Sequence, residues 1–156
     1  MKPEIENCWI GFSAWYDQHH IETIETEKRL WADDWCGQLD LDCWFDRLRY
    51  IIDFKTSKRL YHKDRVQVAG YRGEMEKQGH NIQGHGVLRL DKESGAFEWR
   101  DYSRFYEKDL MEFELIKNLY MIRHPLIAKP FNKKPFAFLK RLAKRIQSFM
   151  SQFKED

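Results

Sequence analysis

A chain of 156 residues with 42% hydrophobic and 15% aromatic content carries enough apolar surface for one folded domain, which excludes wholesale disorder. No apolar run approaches the roughly 20 residues that span a bilayer, and the opening Met1-Lys2-Pro3-Glu4-Ile5-Glu6 is not of the secretory kind, so a cytoplasmic protein is expected. Residues 129–156 hold eight Lys/Arg against two acids while residues 1–128 are net acidic, an asymmetry that suits a protein handling a polyanion.

From Glu4 to His20, Ile5, Trp9, Phe12, Trp15 and Tyr16 recur at three- and four-residue steps, which predicts one amphipathic helix. Residues 21–32 are rich in β-branched and aromatic types and read as a strand, followed by a turn at Asp33-Asp34. A second strand is expected over Cys36 to Phe45, where polar and apolar residues alternate through Gln38-Leu39-Asp40-Leu41-Asp42. After a turn at Asp46-Arg47, the nearly continuous apolar run from Arg49 to Lys55 fits a strand covered on both faces, hence central in its sheet. Tyr61 to Lys77 reads as a helix stopped by Gly79, and residues 81–90 and 95–102 as a hairpin turning at Asp91 to Gly95. Arg104 to Arg123 is predicted as a second long helix, with Phe105, Leu110, Phe113, Ile116, Leu119 and Tyr120 on its packed face. Pro125 and Pro130 break it. Residues 135–153 read as a basic amphipathic C-terminal helix. The order implies an α/β class with a central mixed sheet flanked by helices, over a domain at 1–128 and a basic tail at 129–156.

Cys8, Cys36 and Cys43 are odd in number and form no C-x-x-C pair, so they read as reduced packing residues rather than a disulfide or thiolate-metal framework.

The chemistry concentrates between Gly37 and Tyr71. Asp53 and Lys55 lie two apart on one strand and project from the same face. Pairing of the two strands about the Asp46–Leu48 turn makes Asp40 the cross-strand neighbour of Asp53. Two carboxylates so close repel, so one is protonated or a cation lies between them, and hard oxygen donors suit Mg²⁺ or Mn²⁺. Such an ion polarises a phosphodiester and acidifies a bound water. Lys55 can orient that water and stabilise developing negative charge. An Asp-x-Lys tripeptide alone is common by chance. Here both charges interrupt the most apolar strand of the chain, where charge is costly unless used.

Three motifs follow in order: Gly37-Gln38-Leu39-Asp40, then Ile51-Ile52-Asp53-Phe54-Lys55-Thr56-Ser57, then Gln67-Val68-Ala69-Gly70-Tyr71. They match G-x-x-D, a strand ending in D/E-x-K-T, and Q-x-x-x-Y on the next helix. The set resembles the RecB-like nucleases of the PD-(D/E)XK superfamily, with phage exonucleases and mitochondrial genome maintenance exonucleases nearest in pattern. The resemblance covers residues 5 to about 120. It implies a restriction-endonuclease-like fold and a metal-dependent DNA nuclease, an exonuclease of recombination or repair in the cytoplasm of a bacterium or phage-infected cell. By the same resemblance Asp40 and Asp53 bind Mg²⁺ or Mn²⁺, Lys55 is catalytic, and Gln67, Tyr71 and Thr56 serve the substrate. The implied partners are single- or double-stranded DNA and a recombination protein, without stable membrane insertion.

Relatives carry a further helix, with a His or Glu that completes the metal site, before the one at Glu4–His20, and the sequence starts after that point. Glu27, ten residues before Gly37, or Glu25 is then expected to complete the site. The alternative is a catalytically inactive nuclease-fold module that binds nucleic acid or a partner protein. His19-His20 reads as a surface pair at a helix end. Trp31, Trp35, Trp44 and the aromatic residues near 102–106 serve either the core or stacking on single-stranded DNA. Thr56 and Ser57 serve either phosphate contact or a turn cap. The basic tail docks on the domain, tracks DNA phosphates or lies on an anionic membrane.

Overall fold

Proline at the first helical position and Glu4 and Glu6 in the first turn start helix α1, Pro3–Tyr16. It ends earlier than its apolar spacing predicts. The Asp46 carboxylate accepts the His20 backbone N–H at 2.9 Å and lies 3.2 Å from His19 Nδ1, which holds residues 19 and 20 outside the helix. The computed structural model describes residues 2–124. The expected helix at 135–153, Pro125, Pro130 and the tail at 129–156 lie outside the described residues. Contacts divide the chain into units Met1–Leu119 and Tyr120–Asp156.

The strands are β1 (Ile21–Trp31), β2 (Cys36–Phe45), β3 (Leu48–Lys55), β4 (Gly84–Leu90) and β5 (Phe97–Asp101). They form one sheet in the order β1-β2-β3-β4-β5, antiparallel throughout except for the parallel pair β3–β4. Helix α2 (His62–Lys77) makes that parallel crossover, and a 3₁₀ turn at Ser103–Phe105 leads into α3 (Tyr106–Arg123). The chain is therefore α/β with a mixed five-stranded sheet, and the apolar run Tyr50–Asp53 lies buried in the central strand as expected. Asp46 and Arg47 both take positive φ (48° and 73°), which gives β2–β3 the two-residue turn whose twist matches its strands.

The sheet has one core on each face. Under α1, Trp15 packs with Ile21, Leu41, Cys43, Phe45, Ile52 and Leu88. Under α2, Leu30, Leu39 and Ile51 meet Val68, Tyr71 and Met75. Gly86 on β4 gives its side-chain space to Trp99, and an added Cβ would stand 2.6 Å from the Arg100 carbonyl oxygen. Gly86→Ala is expected to cost about 1–3 kcal/mol, read as a lowered urea midpoint at unchanged slope. An unshifted midpoint would contradict this packing.

Helix α3 departs from its expected packed face. Phe113 lies over Gly70 and Leu110 over Gly73, so two glycines of α2 let the helices approach closely. Ile116, Leu119 and Tyr120 are exposed instead of packed. Trp31 and Trp44 are likewise exposed, whereas Trp35 is partly buried against the second core. All three cysteines are free. Among the described residues no helix is long and apolar enough to cross a membrane.

Candidate active site

Strict alternation along β2 would put Leu39 and Leu41 on one face of the sheet. The structure corrects this: Leu39 belongs to the α2-side core and Leu41 to the α1-side core, so the pleat reverses at Asp40. The reversal is shared by β1, where Lys28 pairs with Leu39 and Thr26 with Leu41, and the residue between them, Glu27, has φ 51°. A left-handed backbone at a non-glycine strand residue is uncommon and gathers at functional places. Beyond the Leu41–Ile52 pair, β2 parts from β3. Asp40 bridges the opening with its side chain, its Oδ2 accepting the Phe54 N–H at 2.7 Å. The expected hairpin register holds up to Leu41–Ile52, and the carboxylate then replaces a backbone acceptor in the ladder.

Asp53 and Lys55 stand at the carboxyl end of β3, beside the parallel strand β4, where ligands of open α/β sheets bind. Asp53 is buried, only 3% exposed. Lys55 Nζ lies 2.6 Å from Asp53 Oδ2 in a tight ion pair, and that buried oxygen has no further polar partner among the described residues. Lys55 Nζ also donates to Gln67 Oε1 at 3.0 Å, and Gln67 Nε2 donates to the Tyr71 hydroxyl at 2.6 Å. One turn of α2 thus holds the lysine through a relay from Tyr71. The Tyr71 ring is fixed in turn by stacking on Trp35, 6.1 Å between centroids at 16°. Gly37 makes room for both: a Cβ there would lie 2.8 Å from the Tyr71 ring and 2.9 Å from Trp35. The glycine of the first motif and the tyrosine of the third are in contact.

Burial pushes the Asp53 carboxyl up to about 6, against the pull of Lys55 and with the neighbouring charges of Asp40 and Asp64 adding to the rise. At Lys55, burial lowers the ammonium, but Asp53, Asp64 and Asp40 together outweigh it and leave the pKa raised. The directions are consistent because Asp53 is the deeper partner, with 4% side-chain exposure against 23% for Lys55. Burial also raises the Tyr71 phenol, which stays protonated at neutral pH.

Asp64 is the residue that the sequence reading missed. It is 3% exposed, accepts the Tyr61 N–H at 2.8 Å and, with Lys55, Ser57, Tyr61, Lys63 and Gln67, lines a cleft of about 360 Å³. The signal was present: Asp64, Gln67 and Tyr71 fall at i, i+3 and i+7, one face of a helix.

Of the remaining expected residues, Glu27 stands opposite Asp40 in the β1–β2 register, between the pairs Thr26–Leu41 and Lys28–Leu39. Glu27 is exposed at the pleat reversal, and Glu25 pairs with Lys28 at 2.6 Å. Thr56 is exposed on a different cavity of about 480 Å³, shared with Glu4, Ser57, Lys58 and Asp91 to Glu93. His19 and His20 bond Asp46 and Glu22 at the opposite end of β3. No group of three or more His, Cys, Asp or Glu among the described residues is arranged to hold a metal ion. Comparison with protein families and with curated proteins gives no match.

Proposed function

We propose that this chain is a Mg²⁺- or Mn²⁺-dependent DNA nuclease of restriction-endonuclease-like fold, an exonuclease of recombination or repair. The observation that carries the reading is the buried Asp53 carboxylate, which shares its surroundings with two further acids, Asp40 and Asp64, and a single ammonium, that of Lys55. A net-negative cluster around a buried carboxylate fits a divalent cation, and Asp53 and Asp40 are the residues that would hold it. When bound, such an ion supplies Lewis-acid polarisation of the phosphodiester and acidifies its water. Lys55, held by Gln67, brings a fixed positive charge to where negative charge develops on the phosphate. Tyr71 and Gln67 keep that lysine in place, and Tyr71 acts from within the core.

A second reading, a catalytically inactive nuclease-fold module, draws support from Asp40, whose carboxylate already accepts the Phe54 N–H. The two readings separate on labelled single- and double-stranded DNA with Mn²⁺, using wild type, Lys55→Ala and Asp53→Ala. The nuclease reading expects degradation by wild type alone. Equal degradation by all three, or by none, sinks it.

A further inference from the structure

Several cations of the domain are held by carboxylates: Lys28, Arg49, Arg65, Arg89 and Lys117 each form such a pair. The segment joining β3 to α2 differs. Arg59 and Lys63 stand over the Tyr61 ring, 5.2 Å and 5.8 Å from its centroid, with no carboxylate in ion-pairing distance among the described residues. Lys58 beside them is exposed and equally uncommitted among those residues. Tyr61 itself is 39% exposed, yet its backbone is pinned by the N–H bond to Asp64, and the Ser57 hydroxyl donates to the Arg59 carbonyl at 2.8 Å. Tyr61 and Lys63 also line the cleft that holds Lys55.

An exposed ring on a fixed backbone, with two cations held near it by cation–π contact and unpaired with carboxylates among the described residues, suits a ligand that offers both flat apolar faces and repeated negative charge. A single nucleic-acid strand has both. A duplex hides its base faces in its own stack, and an acidic peptide or inorganic phosphate gives the ring nothing to stack on. We propose that Tyr61, flanked by Arg59 and Lys63, is a stacking platform for a base of single-stranded nucleic acid, with Lys58, Arg59 and Lys63 on the adjacent phosphates and the strand leading into the Lys55 cleft. The proposal deepens the nuclease reading and rests on it for the strand's destination. Stacking on Tyr61 does not depend on hydrolysis.

The test is fluorescence anisotropy of labelled oligo-dT, oligo-U and a duplex of equal length with the full chain in EDTA, over a range of salt. The single strands are expected to bind more tightly than the duplex. Tyr61→Ala should weaken single-strand binding about tenfold or more, with Tyr61→Phe close to wild type. Arg59→Ala and Lys63→Ala should each flatten the salt dependence by about 0.7 in log–log slope. Tighter binding of either oligo-dT or oligo-U supports the platform and says which strand it takes. Wild-type affinity in Tyr61→Ala, or no preference for single strands, overturns it. If the strand binds through Tyr61 yet Mn²⁺ brings no cleavage, the platform stands and the nuclease reading fails. Cleavage together with a silent Tyr61→Ala overturns the platform alone.

Discussion

Under the proposed nuclease function, Asp53→Asn is expected to lower metal-dependent DNA hydrolysis by ~10²–10³-fold while making the metal-free protein more stable at neutral pH. The stability gain follows from linkage. A carboxyl whose pKa rises from 3.8 to about 6 on folding contributes stability that is fully present below pH 3.8 and lost as pH rises through 6. At pH 7 the loss is up to about 3 kcal/mol, and asparagine removes the buried charge that causes it. Thermal midpoints of wild type and Asp53→Asn measured without metal at pH 4 and pH 7 check this. The variant should gain on the wild type between the two. A gap that is constant, or that closes, would show that Lys55 neutralises Asp53 fully and that no charge is held in reserve.

The second large effect belongs to His85, in the middle of the fold and outside the site. It is fully buried on β4, both ring nitrogens lack hydrogen-bond partners among the described residues, and Tyr106 meets it at 65°, 5.6 Å between centroids. Burial, with the Arg72 charge adding, lowers its pKa from 6.5 to about 4. For this base the sign is opposite to that of Asp53. Its stability is fully present above pH 6.5 and lost as pH falls through 4, again by up to about 3 kcal/mol. Over the same window the two groups act in opposite directions, so each partly masks the other in the wild type. His85→Leu is expected to become relatively more stable with acid, whatever its fixed packing cost, and Asp53→Asn relatively less. Parallel profiles for wild type and His85→Leu, followed by circular dichroism melts, would remove His85 as a titrating group.

The class of fold was legible because the signals were local and strong. Alternation and β-branching mark β1 and β2, the run Tyr50–Asp53 marks a central strand, and Asp46-Arg47 marks the turn between them. The hairpin register then placed Asp40 near Asp53 from sequence arithmetic. The pleat reversal at Asp40 was not legible, since it depends on Glu27 of the neighbouring strand taking a left-handed backbone. Helical spacing showed that Gln67 and Tyr71 share a face, but not that they face Lys55 and each other rather than solvent. Periodicity over α3 likewise predicts an apolar stripe without saying how far α2 extends beneath it, and Ile116 and Leu119 are exposed. His85 carries no local signal, because its meaning comes from Arg72 and Tyr106 on two other elements.

In the proposed function the Asp53 carboxylate is kept for a divalent cation. Titration calorimetry with Mn²⁺ at pH 7 on wild type and Asp53→Asn tests it most directly. The wild type is expected to show saturable binding that Asp53→Asn loses and that weakens as pH falls through about 6. Equal binding by the two proteins, or none by the wild type, would contradict it.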